Sequence, residues 1–149
     1  MPQAADESGF RVNRRPVTIQ WGDCDPANIV YFPRYFEIFD NSTEAAFEAV
    51  GWGKLRLMQH FGIVGIPAVD IRGRFVEPSS FGDRVNVDTC LYGFGRSSFR
   101  VHHRLLRGDV VAVEGFEVRV WAAKDPHDPA RLKGAEVPRE IIDLFRVPV

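Results

Sequence analysis

One stripe of apolar residues at helical spacing constrains this chain more than any other feature. Phe32, Tyr35, Phe36, Phe39, Thr43, Ala46, Phe47 and Val50 recur at steps of three and four, which lines one face of an α-helix of about five turns. Arg34, Glu37, Asn41, Glu44 and Glu48 fall on the opposite face. Pro33 suits a first helical position, where a missing N–H is no loss, and Gly51 suits a stop. The other helical segments are short: Lys54 to His60, and Arg139 to Phe145 after Pro138. A single long amphipathic helix needs something flat to cover.

The rest of the chain supplies it. Residues 84–92 put Val85, Val87 and Leu91 on one face, and residues 97–106 do the same with Phe99, Val101 and Leu105. Residues 110–121 alternate Phe116, Val118 and Val120 against Glu117 and Arg119. The joins Gly93-Phe94-Gly95 and Arg107-Gly108-Asp109 are short, so the three runs read as an antiparallel meander. Residues 15–21 alternate as well, with Val17, Ile19 and Trp21 facing one way. Residues 62–77 hold two apolar stretches broken by Gly65, Pro67 and Gly73. The expected class is α+β, with one long central helix packed on a curved antiparallel sheet of about five strands. At 149 residues the chain is read as a flexible lead-in over residues 1–14 and a single domain over residues 15–149.

Composition contributes mainly by exclusion. Lysine plus arginine is 19 against 20 acidic residues, a net charge of -1, which argues against general nucleic-acid binding. No apolar run is long enough to span a membrane. Cys24 and Cys90 have neither CxxC spacing nor a nearby histidine cluster, so no metal site is expected. The absence of a secretory apolar region makes the cytoplasm the expected compartment. His102 and His103 are neighbours on a strand, so they point to opposite faces and cannot chelate together. No G-x-S-x-G, P-loop or G-x-G-x-x-G is present, which removes support for serine-hydrolase, NTPase and dinucleotide readings.

The densest local chemistry lies in Trp21-Gly-Asp-Cys-Asp-Pro-Ala-Asn-Ile-Val-Tyr-Phe-Pro33. It sets two carboxylates, Asp23 and Asp25, in a loop that runs into a helix N-terminus. Unpaired N–H groups there carry partial positive charge and can hold a developing oxyanion. A nearby carboxylate can serve as nucleophile or general base. Asp-rich loops before helices also occur simply as turns and caps.

This segment resembles the signature of the 4-hydroxybenzoyl-CoA thioesterase family of hotdog-fold proteins, a G-D-C-D-P-A-G-I-V run followed by two aromatics, Pro, any residue and Tyr. Gly62-Ile-Val-Gly-Ile-Pro67, Phe75-Val76 and Arg96-Ser-Ser-Phe99 also resemble that family, and Gly134-Ala-Glu-Val-Pro138 does so more weakly. The similarity spans about residues 16–145. It implies a hotdog fold and hydrolysis of an acyl-CoA thioester with no cofactor, CoA being part of the substrate. It also implies a homodimer or homotetramer with the site at the subunit interface.

By position, Asp25 matches the catalytic carboxylate, and Phe32 matches the residue whose backbone N–H polarises the thioester carbonyl. Asp23 is expected to shape the loop. Asp40 matches a helix position that meets a phenol hydroxyl across the dimer; a boundary residue reaching solvent is the other reading. Tyr31, Asn28, Val64 and Ile66 are expected to border the acyl group. Arg96, with Ser97 and Ser98, is expected to hold the CoA phosphates, though a surface arginine in a hairpin would look the same. Asn28 replaces the usual Gly, and Phe36 stands at an often polar position, which leaves the acyl group open. The expected substrate is an aromatic acyl-CoA such as a hydroxybenzoyl-CoA. A short or medium aliphatic acyl-CoA thioesterase, an acyl-CoA hydratase and a non-catalytic acyl-CoA-binding protein are the alternatives.

Overall fold

A computed structural model describes residues 7–148. The first strand, β1, covers Val12–Thr18. The helix predicted from the apolar stripe, α1, covers Pro33–Ala49, with Pro33 at its first turn and Phe32 capping it. Gly51 ends it with φ 88°, a left-handed value that glycine adopts without strain. A short helix α2 covers Lys54–Phe61. Strands β2 (Ala68–Phe75), β3 (Arg84–Tyr92), β4 (Ser98–Arg107) and β5 (Val110–Val120) follow. Two short strands, β6 (Ala122–Lys124) and β7 (Leu132–Gly134), precede the last helix α3 (Arg139–Phe145).

The main sheet has five antiparallel strands in the order β1-β3-β4-β5-β2, and β6 pairs with β7 beside it. This meets the expected α+β plan, with β6 and β7 as additions. β1 begins at Val12, so the lead-in expected over residues 1–14 is too long. Phe10 bridges to Arg146, and Glu7 reaches the sheet through His102. Residues 1–6 of that lead-in lie outside the described residues. The strand also ends earlier than residues 15–21 suggest. Trp21 enters a single 3-10 turn and is 73% exposed, while Ile19 is fully buried.

β5 turns the opposite way from its apparent alternation. Glu117 and Arg119 are buried on the helix-facing side, and Phe116, Val118 and Val120 are half-buried on the other. A register shift at Leu105/Leu106 accompanies this: Leu105 pairs with Val113 and Leu106 with Val111. Ala112 is thus the extra residue of a bulge, and beyond it the row Val113, Gly115, Glu117, Arg119 faces α1.

The core is consequently two apolar halves. One gathers Ile19, Phe39, Val85, Val87, Leu105 and Val113 around the first half of α1. The other gathers Phe47, Leu91, Phe99, Val101, Trp121 and Ile141 around its second half. Between them, along each element, lies a polar residue: Thr43 on α1, Thr89 on β3, His103 on β4, Glu117 on β5. The two histidines do point to opposite faces, His103 inward and His102 outward between Glu7 and Glu114. No helix of the described residues is long and apolar enough to cross a membrane.

Candidate active site

The loop between β1 and α1 is built by its own polar side chains. The Asp23 carboxylate accepts from the Gln20 N–H at 2.8 Å and closes the 3-10 turn, and its carbonyl accepts from Tyr31 N–H at 2.8 Å. Asp23 therefore sits where a loop-shaping residue should. Asp25 N–H donates to Ile29 O, and Asn28 N–H donates to Asp25 O. Asn28 takes φ 61°, the left-handed region that Asn tolerates better than other side chains. That is why it can replace Gly here. One Asp25 oxygen, Oδ1, accepts from Ala27 N–H at 2.9 Å. Oδ2 has no partner among the described residues.

Five residues on from Asn28... the chain enters α1. Phe32 is already helical at φ -53°, ψ -35°, and no acceptor among the described residues is paired with its N–H. Pro33 follows, so the Phe32 amide stands next to a position that has no N–H of its own. Tyr31 and Phe32 are both exposed, their rings 5.6 Å apart. A half-buried carboxylate with one uncommitted oxygen can act as base or nucleophile on a carbonyl, and an unpaired amide at a helix start can polarise one.

A cavity of about 410 Å³ lies farther along the helix. One wall is the α1 face carrying Phe36, Asp40 and Phe47, and another is the segment Ile63–Ala68 with Val64 and Ile66. Leu57 and Met58 of α2 line it too, and Glu117 and Arg119 form part of its polar lining. The structure brings Asp40, Val64 and Ile66 together on this cavity. Asp25, Asn28, Tyr31 and Phe32 of the same chain do not line this cavity.

Asp40 has the partner a carboxylate on an apolar stripe requires. Arg119 Nη2 donates to its Oδ1 at 2.8 Å, although the Asp40 side chain is 61% exposed and that of Arg119 only 7%. Arg119 Nη1 donates to Ile66 O at 3.0 Å, and its Nε to Glu117 Oε2 at 3.0 Å. Glu117 Oε2 also faces His103 Nε2 at 3.3 Å, and His103 Nδ1 faces Thr89 Oγ1 at 2.8 Å. Burial pushes the His103 imidazole below its ordinary pKa, so the ring is neutral. Its Nε2–H donates to the carboxylate and Nδ1 accepts from the Thr89 hydroxyl. Burial works to raise the Glu117 pKa, but hydrogen bonds from His103 and Arg119 outweigh it and hold the group below its ordinary value. Burial likewise opposes the Arg119 charge, and the contacts to Glu117 and Asp40 prevail and raise its pKa. Sequence reasoning missed Glu117 and Arg119 because two charged residues alternating with Phe116, Val118 and Val120 look like a solvated face. A Glu-x-Arg pair one register from a strand histidine was the available signal.

Arg96, Ser97 and Ser98 act in the backbone scaffold. The Arg96, Ser97 and Ser98 carbonyls accept from Val137, Trp121 and Gly95 N–H groups at 2.8, 2.7 and 2.8 Å. The Arg96 side chain is exposed. Ser97 packs on Gly134 so closely that a Cβ there would lie 2.8 Å from its Oγ. Leu132 of the same strand β7 lines the cavity, so this corner and the cavity share one short strand.

A long helix laid on a five-stranded antiparallel sheet, with a carboxylate loop at the helix start, defines a hotdog domain of thioesterase type. Residues 19–143 match the thioesterase-like superfamily, and the chain belongs to it, within the 4-hydroxybenzoyl-CoA thioesterase family of hotdog-fold proteins. It is 36% identical over 132 residues to the 4-hydroxybenzoyl-CoA thioesterase of Pseudomonas sp. (strain CBS-3), covering 85% of this chain and 92% of that one. It is 33% identical over 87 residues to a 1,4-dihydroxy-2-naphthoyl-CoA hydrolase of Synechococcus elongatus, 58% of this chain and 64% of that one. The crystal structure of an Asp-to-Asn mutant of 4-hydroxybenzoyl-CoA thioesterase, complexed with 4-hydroxybenzoyl-CoA, superposes with a TM-score of 0.82 at 30% identity. That match covers 91% of this chain and 99% of the other.

Proposed function

We propose that this protein hydrolyses the CoA thioester of a hydroxylated aromatic acid, giving the free acid and CoA, and that it does so as a homodimer or a larger homo-oligomer. The observation that carries this reading is that one loop running into α1 holds both an uncommitted Asp25 oxygen and an acceptor-free Phe32 N–H. The Phe32 N–H donates to the thioester carbonyl and stabilises the oxyanion. Asp25 either removes a proton from the attacking water or adds to the carbonyl itself, giving a mixed anhydride that water then opens. In both routes the C–S bond breaks and the CoA thiolate takes up a proton.

The acyl group goes to the cavity holding Asp40, Val64 and Ile66, with Tyr31 and Asn28 of a neighbouring copy at its mouth. The named relatives act on hydroxylated aryl-CoA esters, and an exposed carboxylate at the cavity wall suits a phenol hydroxyl. Because Asp25 lies outside the cavity of its own chain, the complete site draws its carboxylate from one copy and its acyl pocket from the next. The edge strand β2 supports this assembly: Val69, Ile71 and Phe75 are all exposed on it. An eight-residue edge strand leaves one row of backbone N–H and C=O groups free to pair with a second copy. Arg96, Ser97 and Ser98 are assigned to the CoA phosphates, where an exposed guanidinium serves well. Cys24 and Cys90 are unbridged, which suits a reducing cytoplasm.

Thiol release from a panel of aryl- and fatty-acyl-CoA esters tests the reading. Hydroxyaryl esters should turn over fastest. Asp25→Asn should lose about 10²- to 10⁴-fold in kcat, the usual worth of a positioned acid or base, while melting like the parent. Wild-type turnover in that variant rejects the site. In single turnover in ¹⁸O-water, label entering the enzyme's own carboxylate identifies the anhydride route.

A further inference from the structure

We propose that Arg119 is a positioning residue that sets the acyl specificity by holding the two walls of the cavity at a fixed spacing and aiming Asp40 at the substrate hydroxyl. This deepens the reading above and rests on it.

The geometry is that of a fork with three fixed tines. Arg119 Nη2 grips Asp40 on α1, Nη1 grips the Ile66 carbonyl on the opposite wall, and Nε is anchored on Glu117. A guanidinium is planar, so these three donor directions are locked to one another. Glu117 is in turn held by neutral His103, itself stacked beneath Phe39 at 4.7 Å and bonded to Thr89. The exposed Asp40 is therefore tied through two buried groups to the middle of the sheet. Without the fork, a 61% exposed carboxylate on a helix surface would sample several rotamers and point mainly to water. With it, Oδ1 is committed to Arg119, and Oδ2, which has no partner among the described residues, is left for a ligand of the cavity that Asp40 lines.

The charges also fix what that oxygen accepts. Asp40, Glu44 and Glu117 against Lys54 and Arg119, with His103 neutral, leave one net negative charge on the cavity lining. A hydrogen-bond donor is welcome there, and an acyl group carrying a carboxylate is repelled. Selectivity for a hydroxylated ring thus comes from the buried Glu117–Arg119 pair as much as from Asp40.

The test measures binding of two non-hydrolysable thioethers, 4-hydroxybenzyl-CoA and benzyl-CoA, by titration calorimetry on the full-length protein. Wild type should prefer the hydroxylated ligand by about 10- to 100-fold, the range of a hydrogen bond to a charged group. Arg119→Lys keeps the charge but cannot fork, and its preference should fall to about twofold. Asp40→Asn, at an exposed position, gives a second reading if Arg119→Lys folds poorly: its preference should fall to the same level, and the double variant should fall no further. A preference in Arg119→Lys equal to wild type overturns the proposal, as does additivity in the double variant. A wild type that shows no hydroxyl preference overturns it while leaving thioester hydrolysis standing. A wild type that prefers the hydroxylated thioether yet releases no thiol from any thioester leaves the Arg119 role standing and overturns the hydrolase reading. A wild type that binds neither ligand overturns both.

Discussion

Gly115→Ala is the most informative single methyl that can be added to this protein. Gly115 lies on β5 in register with His103, under the ring of Phe39. A Cβ there would stand 2.6 Å from both Phe39 Cδ2 and Cε2. Carbon atoms in ordinary contact sit about 3.5–4.0 Å apart, so ring and methyl must separate by about 1 Å. The ring has nowhere to go: Phe39 is fully buried and stacked on His103 with an interplanar angle of 5°. The strain passes to α1. Overpacking of this kind costs about 1–3 kcal/mol, and the lower entropy of the unfolded Ala chain returns about 0.4–1 kcal/mol. A net loss of about 1–2 kcal/mol corresponds to a Tm drop of roughly 2–8 °C at this chain length. The activity should fall further than stability, because α1 carries both the Phe32 amide and Asp40, and a shift of about 1 Å at reacting groups is worth about 10²-fold. Calorimetric melting with hydroxybenzoyl-CoA turnover on the same samples checks both. Phe39→Leu should relieve the clash, so the two changes together should cost less than their sum. A Gly115→Ala protein that melts and turns over like wild type, or strict additivity with Phe39→Leu, refutes the reasoning.

Acid should destabilise the fold in two stages. His103 is depressed from 6.5 by burial, so the stability it contributes is complete above that value and drains as pH falls below it. Glu117, held below its ordinary 4.5, adds a second loss lower down. Melting temperatures between about pH 7 and pH 5 should decline, and His103→Gln should flatten the upper part of that decline; parallel curves for the two proteins would contradict the assignment. Asn28→Gly should melt within about 1 kcal/mol of wild type or above it, whereas Asn28→Val should lose more than 1 kcal/mol through its left-handed backbone. Sedimentation should show a particle of at least two 16.9 kDa chains, and Val69→Asp on the exposed β2 edge should shift it to monomer and remove turnover together. A fully active monomer would end the shared-site reading.

What the sequence disclosed follows from how strongly each element depends on one row of side chains. α1 was legible because its apolar stripe is continuous from Phe32 to Val50. β3 and β4 were legible because Val85, Val87, Leu91 and Phe99, Val101, Leu105 do face inward. β1 was misplaced by three residues because Val12, Asn13 and Arg14 form no apolar row, Val12 and Arg14 being exposed and Asn13 half-buried beside a single neighbour strand. β5 was read on the wrong face because its inward row is Gly115, Glu117 and Arg119, whose polar atoms are satisfied by one another and by His103. Pattern rules assign such residues to water; only pairing in three dimensions makes their burial affordable. The loop residues Asp25 and Phe32 were visible as a local motif, whereas Arg119 reaches Asp40 across 79 positions of sequence and left no local trace.

The strand order has a consequence for how the chain is made. α1 is complete by Ala49, yet the surface it covers is assembled from β3, β4 and β5, the last of which ends at Val120. During synthesis at about 5–20 residues per second, roughly 70 residues and several seconds separate the helix from its sheet. For that interval Phe36, Phe39 and Phe47 have no native surface to bury against. Glu37 and Glu48, exposed on α1, give the nascent helix a charged side that opposes its aggregation over that interval. Stripping those charges should reduce the yield of folded protein from translation far more than it changes the melting temperature of protein already folded.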